Sequence, residues 1–146
     1  MSNKSKSVII SLLKTNTFVV DTLSNILKPY KISLQQFNVL RILRGQKGNP
    51  SNLSTVQEKM INRMSNTTRI IDKLVKKNYA SRSICEENRR KIELLITPKG
   101  LKILGKIDLI FEKEESKLTD KLSPEEHDEI LTLFNKINNS LKQKST

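Results

Sequence analysis

Hydrogen-bonding and cationic side chains are concentrated between residues 65 and 77, where hydroxyl, amide and guanidinium groups come first and three lysines follow. An Asn amide can pair with adenine through two hydrogen bonds, hydroxyls donate to bases or phosphates, and cations bind phosphate. This set suits a nucleic-acid surface, with base contacts at its start and phosphate contacts further along. The candidate residues are Ser65, Asn66, Thr67, Thr68, Arg69, Lys73, Lys76 and Lys77.

A second basic group, Arg89 and Arg90, follows a short polar run between two apolar segments. Guanidinium groups on a hairpin tip can reach an adjacent groove or the sugar-phosphate backbone, because a narrow groove concentrates negative potential. Each pattern alone has a simpler interpretation, since Asn and Thr often cap helices and a basic tip is often a solvated turn. The prediction of a nucleic-acid surface therefore rests on the order and spacing of the two patterns.

The charge distribution favours a polyanionic partner. The chain has 27 basic and 15 acidic residues, a net charge of +12. Residues 63–91 hold nine basic and three acidic groups, a net +6, whereas residues 108–129 hold three basic and nine acidic groups, a net −6. A basic protein without a polyanionic partner is the alternative, and the clustering argues against it.

Catalytic and metal-binding patterns are not found in the sequence. It contains no nucleophile-elbow, phosphate-loop or zinc-protease motif, so we predict that the protein is not an enzyme and needs no cofactor. Its single His127 and single Cys85 cannot form a His/Cys metal cluster. No apolar run is long enough to span a membrane, and one cysteine suits a reducing compartment, so we expect a cytoplasmic protein.

Caps and breakers divide the chain into helices. A first helix near 5–28 ends at Pro29, and a Ser/Gln capping box at 33–36 opens a second. A similar box at 54–57 predicts the start of a short third helix that ends near Met60 or Ile61. The fourth helix is predicted at 65–77, and Asn78 follows it in the left-handed position.

The apolar period then changes from 3.6 to 2, which predicts a β-hairpin over 80–96 with a basic tip. Thr97 and Pro98 begin another helix, and Ser123 caps the last one with Glu126 three residues later. Apolar stripes on these helices include Leu104, Ile107 and Phe111 in the first and Ile130, Phe134, Ile137 and Leu141 in the last.

This order of elements predicts a mainly α fold with a small β-hairpin wing. We expect a winged helix-turn-helix DNA-binding lobe at 33–97. The apolar stripes on the first and last helices indicate an N-terminal dimerisation helix at 1–32 and C-terminal dimerisation helices at 98–146.

Three stretches resemble the MarR family of winged-helix regulators: Leu34 to Leu43, Asn66 to Lys77, and Arg89-Arg90 followed by Ile96-Thr-Pro-Lys-Gly100. The resemblance extends over nearly the whole chain. It implies a homodimer whose first and last two helices form the dimer interface. It also implies a recognition helix at about 64–77, a wing at about 80–96, an inverted-repeat operator in double-stranded DNA, and repression that a small-molecule effector or an oxidant relieves.

Two positions depart from the family pattern. Asn88 stands where the family's wing often has an Asp that orients the Arg at position 90, and Asn78 stands where a Gly often follows the recognition helix. Asn supplies no charge, so we expect the wing Arg90 to be less firmly placed. A thiol switch in the first helix is not expected, because the lone Cys85 lies at the wing base.

The main alternative function is a winged-helix adaptor that binds RNA or an acidic protein partner. The same basic surface at 63–91 would serve it, and salt-dependent binding to a defined DNA palindrome separates the two hypotheses.

Overall fold

The computed structural model describes residues 2–144, with the side chains of residues 3–142. It divides into two compact units, the first ending at Phe111 and the second beginning at Glu112. The described chain forms the helices and strands α1 (Ser2–Leu27), a 3-10 turn (Lys28–Tyr30), α2 (Leu34–Gly45), α3 (Leu53–Lys59), α4 (Thr67–Lys76), β1 (Ala80–Ile84), β2 (Ile92–Ile96), α5 (Pro98–Thr119) and α6 (Pro124–Lys144). The predicted mainly α fold with a β-hairpin wing is confirmed.

The local caps explain where most helices begin. Ser33 and Gln36 form the predicted capping box, in which the Ser33 Oγ accepts from the Gln36 N–H at 3.0 Å. Ser123 and Glu126 form the same reciprocal pair at the start of α6. Thr97 Oγ1 accepts from the Gly100 N–H at 3.0 Å at the start of α5. These bonds satisfy N–H groups that a helix start leaves unpaired.

The prediction for the start of α3 was wrong. The N-cap is Asn52, whose Oδ1 accepts from the Thr55 N–H at 2.8 Å, and the helix begins at Leu53, before the proposed cap Ser54. Asn is as good a cap as Ser, and Asn52 directly follows Ser51, which forms an antiparallel bridge with Leu94. The extended strand pairing therefore ends where the helix starts.

The core of the first unit lies where α2, α4, α5 and the base of the hairpin pack together. Phe37 of α2 packs against Phe111 of α5 with ring centroids 4.4 Å apart. The strands β1 and β2 pair with Ala80 opposite Ile96 and Ile84 opposite Ile92. Ala80 and Leu94 are buried, whereas the far end of the hairpin is exposed, so the wing is anchored only at its base.

The long helices leave apolar side chains uncovered. On α1, Val8, Ile9, Leu13 and Phe18 are at least half exposed, and on α6 Leu131, Leu133 and Leu141 are also more than half exposed. No described helix is both long and apolar enough to cross a membrane. Monomeric proteins rarely leave apolar patches of this kind uncovered.

Two glycines of α5 give a matched test of the packing. A Cβ on Gly100 would overlap the carbonyl oxygen of Tyr79 and crowd Ile96, whereas a Cβ on Gly105 would meet no atom within 4 Å. We expect Gly100→Ala to destabilise the protein by about 1–3 kcal/mol through overpacking. Gly105→Ala should stabilise it by about 0.5–1 kcal/mol because alanine favours helix. Urea unfolding of both variants measures this, and equal effects would contradict the packing at Tyr79.

Candidate nucleic-acid interface

One face of helix α4 is buried and the other is exposed. Thr67, Ile71 and Leu74 are buried and spaced by three and four residues, which places them on one face of a helix. They direct this face toward α2, α3 and β1, the elements against which α4 packs. The other face is polar and cationic, so the packing of the buried side decides which side chains reach solvent.

The structure distributes the sequence-predicted residues unequally over these two sides. Asn66, Thr68, Arg69, Lys73 and Lys76 are exposed, and Ser65 and Lys77 are half-buried. The side chain of Thr67 is only 3% exposed. The hydroxyl of Thr67 lies 3.4 Å from the carbonyl oxygen of Ser65. Thr67 therefore belongs to the packed side of the helix and is not exposed for contact with a partner, unlike most of the other predicted residues of this helix.

Asn66 caps α4 and is also exposed to solvent. Its Oδ1 accepts from the Arg69 N–H at 3.2 Å and caps α4, while the residue itself remains exposed. The helix thus begins two residues later than the predicted Ser65. The cap uses the amide oxygen, and no described residue bonds the amide nitrogen.

The site also includes the start of α2, which sequence reasoning missed. A shallow cleft of about 390 Å³ joins the two helix starts. Its lining is polar and cationic apart from one isoleucine, and consists of Ser33, Gln35, Gln36, Ser65, Asn66, Arg69, Ile70 and Lys73. The capping box at Ser33 marks a helix start in the sequence, but only the packing of α2 on α4 brings that start beside Arg69.

The tip of the wing carries Arg89 and Arg90, and both are exposed. Asn88 Oδ1 accepts from the backbone N–H of Arg90 at 3.1 Å, and the Asn88 carbonyl accepts from the Lys91 N–H at 2.9 Å. Asn88 therefore shapes the backbone of the turn, and the Arg90 side chain extends from a turn whose backbone is fixed. Cys85 is half-buried at the end of β1, where its N–H donates to the Lys91 carbonyl.

An ion pair joins α4 to the wing. The guanidinium of Arg82 on β1 donates to the carboxylate of Asp72 on the exposed side of α4. Both side chains are about half exposed, so the pair adds at most about 1 kcal/mol to stability. Its electrostatic effect matters more for the surface, because Arg82 neutralises the carboxylate that stands among the α4 cations.

The ammonium group of Lys77 is hydrogen-bonded within the protein. Its Nζ donates to the carbonyl of Lys31, and the Lys77 carbonyl accepts from Lys99 Nζ at 3.2 Å. Burial lowers the pKa of the Lys77 ammonium, and the nearby charges of Lys73 and Lys31 lower it further. Like charges are therefore crowded at the end of α4, and an anion bound there would relieve the repulsion.

This crowding can be measured directly. Lys73→Gln removes one of the two neighbouring positive charges, so we expect the pKa of Lys77 to rise toward its usual value. An NMR titration of the Lys77 Cε and Nζ signals measures it. Lys76→Gln is the matched control, because Lys76 is not among the charges that lower this pKa. An unchanged Lys77 pKa in the Lys73 variant would contradict the arrangement.

Comparisons with known proteins agree with this geometry. The MarR family model matches residues 32–92, which contain α2, α3, α4 and β1. The uncharacterised HTH-type transcriptional regulator YfiV of Bacillus subtilis is 35% identical over 98 residues, and the match covers 65% of this chain and 58% of that protein.

Two solved structures share the fold at low sequence identity. A putative MarR-like transcription regulator from Bacillus cereus superimposes with a TM-score of 0.83 at 20% identity, covering 94% of this chain and 98% of that one. BpsR of Bordetella bronchiseptica, whose DNA binding is regulated by 6-hydroxynicotinic acid, gives 0.80 at 22%, covering 90% and 92%. Residues 32–92 thus match the MarR family model, and the described chain shares the winged-helix fold of MarR-like structures, which confirms the resemblance that its motifs indicated.

Proposed function

We propose that this protein is a homodimeric transcriptional regulator of the cytoplasm that binds an inverted-repeat operator in double-stranded DNA and represses the adjoining genes. In this proposal residues 33–97 form the DNA-binding lobe, and the regions 1–32 and 98–146 form the dimer. This proposal rests on the exposed polar and cationic face of α4, which lies beside a wing with two exposed arginines.

The chemistry of that face suits the major groove. A helix of about 10–12 Å diameter fits a groove about 12 Å wide. Asn66 presents an amide N–H₂ at the end of α4 that enters first, where it can bond a base edge. Arg69, Lys73 and Lys76 bind phosphates and release condensed counterions, which supplies affinity without sequence preference.

The wing extends the same contact. Arg89 and Arg90 reach the neighbouring backbone or minor groove, where negative potential is concentrated. The Asp72–Arg82 pair joins the wing to α4, so that the two contact elements are tied by a polar link as well as by the buried base of the hairpin.

A second copy of the chain would cover the apolar side chains of the long helices. Phe18 on α1 and Leu131 and Leu133 on α6 are more than half exposed. A symmetric dimer presents two α4 helices to successive major grooves, about 10 bp apart on one face of the DNA. Since this spacing must match the DNA, a small-molecule effector that rotates the lobes would weaken binding. Regulation of BpsR by 6-hydroxynicotinic acid supports an effector for this fold.

The adaptor hypothesis uses the same basic surface for RNA or an acidic protein. The paired elements favour DNA, because an exposed helix beside a basic wing matches a groove and its flanking phosphates. Competition by double-stranded DNA against RNA of the same sequence separates the two hypotheses.

Two substitutions at the N-terminal end of α4 separate affinity from sequence preference. Arg69→Ala should weaken binding to every DNA sequence and lower the slope of log affinity against log salt by about 1. Asn66→Ser keeps the helix cap, because Ser is an equally good N-cap, but removes the amide. It should relax the preference at one base pair by about 1–3 kcal/mol.

Fluorescence anisotropy with operator and scrambled duplexes measures both effects. Lys102→Ala, a change at an exposed lysine of α5 outside the DNA-binding lobe, is the control and should leave the salt slope unchanged. If Arg69→Ala and Asn66→Ser both bind like the parent protein, α4 is not the recognition helix.

The dimer is tested by placing a charge on an exposed apolar position. Phe18→Glu on α1 should weaken dimerisation about tenfold or more, because the carboxylate would be buried in the interface. Ile84→Glu is the matched control, since Ile84 is 64% exposed on β1 and Phe18 is 75% exposed. Sedimentation equilibrium measures both. A parent protein that is monomeric at micromolar concentration would contradict the dimer.

A further inference from the structure

The turn between α3 and α4 exposes two large apolar side chains. Ile61 is 88% exposed and Met64 is 92% exposed, more than any other large apolar side chain among the described residues. Met64 immediately precedes Ser65 and Asn66, which line the cleft at the start of α4, and Ile61 lies three residues before Met64. Full exposure of both residues at the edge of a cationic surface needs an explanation, because neither contributes to the core.

Hydrogen bonds fix the backbone of this turn. Asn38 Oδ1 accepts from the Ile61 N–H at 2.8 Å. Asn62 Oδ1 accepts from the Met64 N–H at 3.0 Å, and the Asn62 carbonyl accepts from the Ser65 N–H at 3.2 Å. The two apolar side chains are therefore held out on an ordered turn.

The cation of the same turn is directed back toward α3. Arg63 Nε lies 3.4 Å from the carbonyl oxygen of Glu58, and Gln57 Nε2 lies 3.4 Å from the carbonyl oxygen of Arg63. Arg63 itself remains exposed, but a turn that met only water or phosphate would favour turning its apolar side chains inward. The exposed end of this turn thus suits an apolar contact.

We propose that Ile61 and Met64 contact the C5-methyl groups of thymines in the major groove, beside the bases that α4 reads. This inference rests on the proposed DNA-binding function. The thymine methyl is the apolar group that the major groove offers, and apolar side chains recognise it by contact. Met adapts its shape readily to such a surface, and burying one methyl against it excludes water from both groups.

The surrounding charge favours DNA over a protein partner for this turn. Residues 63–91 carry a net +6, and Arg69 and Lys73 lie on the exposed side of the adjacent helix. A second copy of this chain would bring an equal positive charge to the same place, whereas DNA brings phosphates.

The experiment removes one methyl group at a time from the DNA. A duplex selected by the protein from a random pool is resynthesised with each thymine replaced singly by uracil, which keeps base pairing and lacks only the methyl. At one or two positions per half-site we expect the parent protein to bind about three- to fivefold more weakly, the effect of one buried methyl. Unchanged affinity at every position would overturn the inference while leaving the proposed function in place.

Variants assign the methyl contact to the turn. Met64→Ala and Ile61→Ala should bind the thymine duplex more weakly and lose the response to uracil at their own positions. Leu101→Ala, a change at a partly exposed apolar residue of α5, should keep the full response to uracil. Both turn residues are exposed, so their variants should melt at the parent temperature.

The remaining outcomes also decide the inference. If Met64→Ala and Ile61→Ala weaken thymine and uracil duplexes equally, the turn does not read the methyl group and the inference is overturned. If these variants change the sedimentation of the protein and not its response to uracil, the turn contacts a second copy and the inference is overturned. If the parent protein selects no duplex at all, the proposed function itself fails and the inference fails with it.

Discussion

The burial of one side of α4 is the constraint on which the candidate site depends. Thr67, Ile71 and Leu74 are enclosed by α2, α3 and β1, so the helix cannot rotate about its axis without exposing apolar surface. Each of the two large side chains contributes about 1.5–3 kcal/mol when buried, far more than any exposed ion pair on the opposite side. Hydrophobic packing thus orients the polar face, and the polar face has little influence on the fold.

Positive charges are crowded around Lys77 at the end of α4. Partial burial lowers the pKa of Lys77, and the charges of Lys73 and Lys31 lower it further. The Asp72–Arg82 pair has the opposite character, because it removes an acidic charge from the surface and joins the wing to the helix. A polyanion would relieve the repulsion around Lys77 while leaving the paired charges undisturbed.

Much of the fold could be predicted from the sequence because its signals are local. The caps at Ser33, Thr97 and Ser123, the left-handed Asn78 and the change of apolar period at Ala80 all act within a few residues. The error at α3 had the same local basis, since Asn52 and Ser54 are both good caps and the strand bridge at Ser51 favours the earlier one.

The site was less predictable, because its composition depends on tertiary packing. The sequence could not reveal that Thr67 turns inward, that Arg82 reaches Asp72, or that the start of α2 lies beside Arg69. These facts follow from which face of each helix is buried, and the apolar pattern of a ten-residue helix defines that face only coarsely. The exposed positions of Ile61 and Met64 run against the usual polarity of a turn, so composition gave no signal for them.

In the proposed function, two α4 helices of a dimer read DNA sequence together. Selection of bound duplexes from a random double-stranded pool at near-physiological salt tests it most directly. The proposed dimer should enrich an inverted repeat whose half-sites lie about one helical turn, roughly 10 bp, apart. Recovery of duplexes with no common sequence, bound weakly and released by modest salt, would contradict it and favour a partner recognised by charge alone.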